Sequence, residues 1–450
     1  MKKLFPLILI LCIVGAWSSI ITKKINTPKQ YEEYLLLANK AYEREYYYEA
    51  LGYANDAESV EGMESVYEAE ALERDCYYRL EEWDSFESQC KSMIKKYPEQ
   101  VENYEMLVQY YMDNEMIEEL CNKISNYRQS WPDSEIILSG ADKVERSYQY
   151  RETGYYDVKY VEPTLVDIQV LMNSGTEEEM LVQRKMVGQR GRAVFDWGYA
   201  QNVMSQDFVS CFVCDQDGNW KKVNAGNYLL ACNSNVSFEY IGRLGKNNIA
   251  TAIIDGKYCF INGEMNVSEK FWEMAGSFHD DLNAVMQNGK WGFVTTANWT
   301  EENIYPYVDI VLNSQKYCTL NGRSVVADEK GYYIIETEEF NPVSANVYEE
   351  IKAFESNQPT AYRTGNKWGF ITTEGEVHIE AMYEDAKPFV NGYAAVKQDG
   401  KWGYINSQNQ MIVEPQYADA HPILNSGFAY VKNDIGYWDI VIIDKLYYAQ

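Results

Sequence analysis

Histidine is nearly missing from this chain, with 3 among 450 residues. Imidazole metal sites and histidine-dependent triads therefore have little to draw on. Positive charge is also short: Lys+Arg number 40 against 68 Asp+Glu, a net charge of −28. No Lys/Arg cluster is present to meet phosphates, which argues against nucleic acid and against adhesion to anionic lipid through a basic face. The glycine-rich dinucleotide loop, the Walker loop, HExxH and GxSxG do not occur, so the common phosphate, zinc and acyl-transfer devices are lacking. Nine cysteines are irregularly spaced, and the CxxC pair Cys211/Cys214 has no second pair at zinc-ribbon distance. That spacing supports neither a disulfide framework nor a metal site. Asp215-Gln216-Asp217-Gly218 begins like a calcium loop but lacks the rest of the pattern and its terminal Glu, so it reads as a hairpin turn. No catalytic residue, cofactor or metal is assigned.

The chain does contain acid, tyrosine and repetition. Residues 28–150 hold 28 acids and 12 bases, and 151–450 hold 40 and 24, so the negative charge is spread over the whole length. Even spreading reads as a solubilising surface. The exception is the N-terminus, where Lys2 and Lys3 precede an uncharged stretch from Leu4 to Ile21. Its 18 residues are just enough for a spanning helix, and Val14-Gly15-Ala16 also fits a signal-peptide cleavage site. Residues 1–24 are therefore read as a signal peptide or membrane anchor. This predicts an extracytoplasmic protein tethered by one N-terminal helix, or secreted if cleaved near Ala16.

From 28 to 150 the composition is helical and repeats every 34 residues: Pro98/Pro132, Phe86/Leu120, Cys90/Ile124 and Met93/Tyr127. Small residues Ala38, Ala50 and Ala57 suit close helix crossings, with Tyr34, Leu37 and Tyr42 filling around them. Proline after each second helix stops it. The units at 31–64, 67–98 and 101–132 resemble tetratricopeptide repeats, with a capping helix over Asp133–Tyr150; Glu73 and Arg74 fit the pattern poorly. Such an α-solenoid implies a peptide-binding face, for which Tyr34, Tyr42, Tyr77, Tyr104 and Tyr111 are candidates.

Residues 155–450 alternate β-branched and aromatic residues between glycine turns. Aromatic anchors recur at Trp220, Tyr258, Trp291, Tyr332, Trp368, Trp402 and Tyr437, with gaps of 38, 33, 41, 36, 34 and 35. In the clearest copies an Asp-Gly or Gly-Asn turn leads into Lys-Trp-Gly-Tyr-Ile or Lys-Trp-Gly-Phe-Ile, and Tyr383/Tyr417, Asp385/Asp419 and Ala386/Ala420 lie 34 apart. One such meander cannot bury its own face, so neighbours must stack into a propeller-like ring or a β-superhelix. The Lys-Trp-Gly core and its following Tyr-x-Asp-Ala segment resemble the WG repeat family, often found in bacterial proteins. The resemblance implies an all-β repeat domain without a known catalytic centre or specific partner. Together these features predict a multi-domain, non-enzymatic, envelope-anchored scaffold for a protein or peptide partner. The alternative is a cell-wall or polysaccharide binder acting through the β domain.

Overall fold

The computed structural model describes residues 29–449, except 64–65, 163–164, 174–179, 188–192, 197–200, 205–209, 215–218, 225–229, 234–235, 243, 246–247, 280, 298–305 and 315; for most of 159–235 it describes the backbone alone. The apolar segment 4–21 and the turn 215–218 lie outside the described residues. Among the described residues, no helix is long and apolar enough to cross a membrane. The chain divides into two compact units, 1–144 and 145–450.

The first unit is a stack of helices: α1 (29–43), α2 (Tyr47–Glu58), α3 (Tyr67–Arg79), α4 (Trp83–Lys96), α5 (Val101–Asp113), α6 (Ile117–Ser130) and α7, which starts at Glu135. The 34-residue period is visible in the helices, since α3 and α5 are offset by one period, as are α4 and α6. Each hairpin turns on a glutamate in the left-handed region: Glu45, Glu81 and Glu115, with φ of 64°, 58° and 54°. The next residue's N–H reaches back five residues, Tyr46 to Ala41 O, Glu82 to Tyr77 O and Met116 to Tyr111 O, at 2.9, 3.0 and 2.9 Å. This is a Schellman-type helix end with glutamate at the position where glycine is usual. Ala38, Ala50, Ala54, Ala57 and Ala69 are fully buried where the first helices cross. Phe86, Cys90, Leu107, Val108, Tyr111, Leu120 and Ile124 form the central core, and each large apolar side chain contributes about 2 kcal/mol by leaving water. At Gly140 an added Cβ would lie 2.7 Å from Val108 Cγ1, so α7 can approach α5 only without a side chain there.

The second unit consists of eight small antiparallel sheets, here called blades. Blades 1 to 7 span 157–196, 201–233, 240–262, 274–295, 309–336, 350–383 and 385–417. Blade 8 combines 419–443 with the strand Tyr148–Tyr155, which pairs antiparallel with Trp438–Ile443. The expected capping helix over Asp133–Tyr150 is therefore corrected. The helix ends at Arg146, and the β unit begins ahead of the 155 boundary read from composition. Apolar clusters join blades 2–3, 3–4, 4–5, 5–6, 6–7 and 7–8 in turn. A further cluster packs Val158 of blade 1 against Tyr430, Trp438 and Ile440 of blade 8. The strand 148–155 and Val158 thus join the start of the unit to its last blade, as in a propeller arrangement.

In each of blades 3 to 7 the anchor ring pairs across strands with a second aromatic: Tyr258/Trp272, Trp291/Tyr307, Tyr332/Tyr348, Trp368/Tyr383 and Trp402/Tyr417. In blade 8 the pair is Trp438/Tyr155, so the last anchor is Trp438 and not Tyr437. The glycine after tryptophan has its own cause. Between Trp402/Tyr417 and Tyr404/Val413 the register shifts, and the outer strand bulges toward Gly403. A Cβ there would lie 2.3 Å from Val413 O and 2.8 Å from Pro415 N, so only glycine accommodates the bulge.

Candidate functional site

The helical unit buries charge inside its repeat frame. Glu70, Glu73 and Arg74 of α3 are buried, and Asn103 of α5 has no exposure. Arg74 donates from Nε and Nη2 to Asp75 Oδ1 at 2.9 and 2.7 Å, and from Nη1 to Asn103 Oδ1 at 2.5 Å. Glu70 accepts from the Lys96 ammonium and, at 3.0 Å, from the Tyr97 hydroxyl. Gln89 Nε2 lies 3.4 Å from Glu73 Oε2. Glu58, at the end of α2, adds a third negative charge to this environment, and its Oε1, like Glu73 Oε1, is buried without a hydrogen-bond partner among the described residues. Three carboxyl groups from two hairpins thus meet in one polar layer.

Their electrostatics follow from that crowding. Burial first, then the charges of Glu58 and Glu70, push the Glu73 carboxyl up to about 7. Burial and Glu70 also raise Glu58, against the pull of Lys96.

The five candidate tyrosines do not converge. Tyr104 and Tyr111 are buried. The Tyr111 hydroxyl donates to Glu87 Oε1 at 2.6 Å, and that of Tyr104 to Pro98 O at 3.2 Å. Both are packing residues and present no face to a ligand. Tyr34, Tyr42 and Tyr77 are half-buried beside three different clusters. Solvent instead meets Leu36 (54% exposed), Leu37 (37%), Tyr46 (59%) and Tyr48 (69%), all in the first hairpin. Leu37 was expected inside. The run Leu35-Leu36-Leu37 carries the overlooked signal, because successive helical positions turn by about 100° and three cannot share one face.

In the β unit the recurring polar residues join blades. Lys352 Nζ donates to Asp385 Oδ1 and Ala386 O of the next blade, both at 2.7 Å, and lies 4.3 Å from the centre of the Trp368 ring. One repeat on, Lys387 Nζ donates to Asp419 Oδ1 at 3.1 Å and to Ala420 O, 4.9 Å from the Trp402 ring. His421 takes this place in blade 8. Its ring packs 4.6 Å from that of Trp438, and its bond to the Val158 backbone reaches blade 1 near Asp157. Glutamates cap the hairpin turns in the same periodic way: Glu239 accepts from Gly256 N, Glu273 from Gly289 N, Glu349 from Gly365 N and Glu384 from Gly400 N. Trp291, Trp368 and Trp402 are buried, so their indoles offer no surface on which a sugar could stack. An open groove of 740 Å³ between loops of blades 5 and 6 is lined by Arg323, Glu336, Glu338, Glu339 and Glu374. Its Glu336 carboxylate accepts the backbone N–H groups of Glu338, Glu339 and Asn341 and so shapes the loop.

Residues 368–402 and 402–438 match the family model described as WG containing repeat. The chain therefore carries WG-type repeats over 368–438. No curated protein matches it. Solved structures similar to it include the computationally designed Ika8 protein, at 9% identity over 65% of this chain and 98% of that one, TM-score 0.39. BamB from Moraxella catarrhalis is similar at 9% identity over 66% and 98%, TM-score 0.39. A structure described as the eukaryotic initiation factor is similar at 9% identity over 62% and 81%, TM-score 0.40.

Proposed function

We propose that the chain is a non-catalytic interaction scaffold whose tetratricopeptide-like helical unit docks a protein or peptide partner, held in the cell envelope by its N-terminal apolar segment. The observation that carries this reading is the first hairpin. Of the five exposed large apolar side chains between residues 29 and 144, four are Leu36, Leu37, Tyr46 and Tyr48. Concentrated apolar exposure marks a surface that is covered in use. With a net charge of −28 around it, the complementary partner has apolar anchors flanked by basic residues. The propeller then serves as a rigid body, its recurring lysines, aspartates and glutamates engaged between blades and at turns.

The test is capture from a detergent extract of envelope membranes on the immobilised chain and on its Leu36→Asp/Tyr48→Asp variant. A partner enriched on the wild type and lost on the folded variant supports the reading. Equal recovery on both removes the first hairpin as the docking surface. Cell-wall binding remains the rival, and co-sedimentation of both proteins with insoluble peptidoglycan would favour it.

A further inference from the structure

We propose that a second copy of this chain occupies the exposed face of the first hairpin, two α1 helices packing antiparallel about a two-fold axis at Leu36. The inference rests on the reading of that hairpin as a docking surface and names what docks there. The pattern along α1 carries it. Lys29, Glu33, Leu36, Lys40 and Glu43 are all exposed, and at 100° per residue they fall within about 80° of one another around the helix. Their spacing, alternately four and three, is that of a coiled-coil seam. Leu36 stands at its centre, 54% exposed, with Leu37 beside it at 37%. Tyr31 and Ala38 are buried and turn the opposite side of the helix to the core, so the seam faces away from it.

Run in the opposite direction, the seam is complementary to itself. With Leu36 opposite Leu36, Lys29 of one copy meets Glu43 of the other and Glu33 meets Lys40, and the two-fold axis makes each contact twice. Glu32, on the shoulder, faces Lys40 as well, while Arg44 falls past the end of the overlap. A parallel pair would set lysine on lysine and glutamate on glutamate, which costs association. The ion pairs of the helical unit among the described residues, Arg74–Asp75, Lys91–Glu87 and Lys96–Glu70, leave the four seam charges to pair across the axis. The seam also supplies what the acidic surroundings ask of a partner, apolar anchors flanked by basic residues. Two features keep the contact reversible. Each copy carries a net charge of −28, which repels at long range. The overlap is also short, about 22 Å at 1.5 Å per residue, which places it among the small interfaces.

The experiment is sedimentation velocity of the full chain in a mild non-ionic detergent, at physiological salt and at concentrations up to about 100 µM, where interfaces of this size associate. Lys29→Glu/Lys40→Glu makes the four seam charges all acidic, and Glu33→Lys/Glu43→Lys makes them all basic. Each variant alone should associate about tenfold or more weakly than the wild type, because like charges now oppose each other. An equimolar mixture of the two should recover association as a mixed pair, in which every charged contact is again lysine to glutamate. Leu36→Asp should abolish the wild-type dimer. A circular dichroism spectrum equal to that of the wild type reports that each variant is folded. A wild type that stays monomeric, folded variants that associate undiminished, or a mixture that fails to recover would overturn the second copy as occupant. If the wild type stays monomeric while Leu36→Asp/Tyr48→Asp still loses an envelope partner, the docking surface stands and its occupant is a different protein.

Discussion

Tyr155 pairs with Trp438 across the seam of the β unit, in the register that Tyr417 and Trp402 adopt within blade 7. The following residues repeat as well: Tyr155-Tyr156-Asp157 corresponds to the junctions of blades 6–7 and 7–8, Tyr383-Glu384-Asp385 and Tyr417-Ala418-Asp419. The missing fourth strand of the last repeat is therefore encoded ahead of the first blade. Asp439 fastens this strand, accepting from the Tyr150 hydroxyl at 2.6 Å, Thr153 N at 2.9 Å, Gly154 N at 3.0 Å and Asn433 Nδ2 at 2.9 Å. Replacing it by alanine orphans buried donors and should cost about 3 kcal/mol, measured by urea unfolding at pH 7.

Acid should weaken the same fastening. Burial opposes ionisation of Asp439, but its four donors outweigh burial and hold the carboxyl below its ordinary 3.8. The stabilisation is then present above pH 4 and lost as pH falls through the lowered value. The difference in stability between wild type and Asp439→Asn should shrink from pH 7 to pH 3, as seen in parallel urea titrations.

His421 adds a second, milder acid dependence at the seam. Burial first, and then Lys387, push its imidazole down to about 4, against the opposing pull of Asp419 and Asp157. The folded ring therefore binds its proton less tightly than the unfolded one. Its contribution is complete above about pH 6.5 and is lost between there and 4, by about 3 kcal/mol. His421→Gln should remove that slope from the unfolding free energy measured between pH 7 and 5. An unaltered slope would assign the dependence to other groups.

The WG dipeptide predicts two large effects and one small effect. Gly403→Ala and Gly369→Ala place a Cβ 2.3 and 2.4 Å from the carbonyl oxygens of Val413 and Ile379. Neither backbone segment can retreat without breaking its ladder, so each should lose about 3 kcal/mol. Gly400→Ala meets open space and is strained only by its φ of +77°, a cost of about 1 kcal/mol. Thermal unfolding of the three variants should separate them in that order.

Lys387→Met tests the coupling between blades. It removes the ammonium from Asp419, from Ala420 O and from the Trp402 face, and should destabilise by about 2 kcal/mol. Lysine placed at 421 continues the pattern of 352 and 387 near Asp157, so His421→Lys should fold with little loss, checked by the same urea titration.

Periodicity made much of this fold legible. The pairs Phe86/Leu120 and Cys90/Ile124 are buried as their spacing implied, and the anchors Trp291, Trp368 and Trp402 lie between sheets. The closure was not legible as a period, because Tyr148–Tyr155 finds its partner near the far end of the chain. The last anchor slipped by one residue because the turn before it is rebuilt, with Tyr437 N donating to Asn433 Oδ1. In the candidate site the signal was misread in kind. Glu73 and Arg74 broke the apolar pattern because they bond sideways to Gln89 of α4 and Asn103 of α5, and a repeat frame scores such residues as defects. Tyr104 and Tyr111 went the other way, since a phenol that finds Pro98 O or Glu87 can be buried as readily as phenylalanine.

The seam also sets the order in which the protein can be made. The Ser147 hydroxyl donates to Asp444 across 297 positions of sequence. While the ribosome builds the intervening blades, Tyr148–Tyr155 waits with an unpaired edge, and so does the growing face of each new sheet. The final closure carries the largest loop-closure entropy in the unit. Until Trp438–Ile443 emerges, both open edges are available to neighbouring chains. Slow translation through 419–443 should therefore favour misassembly between chains.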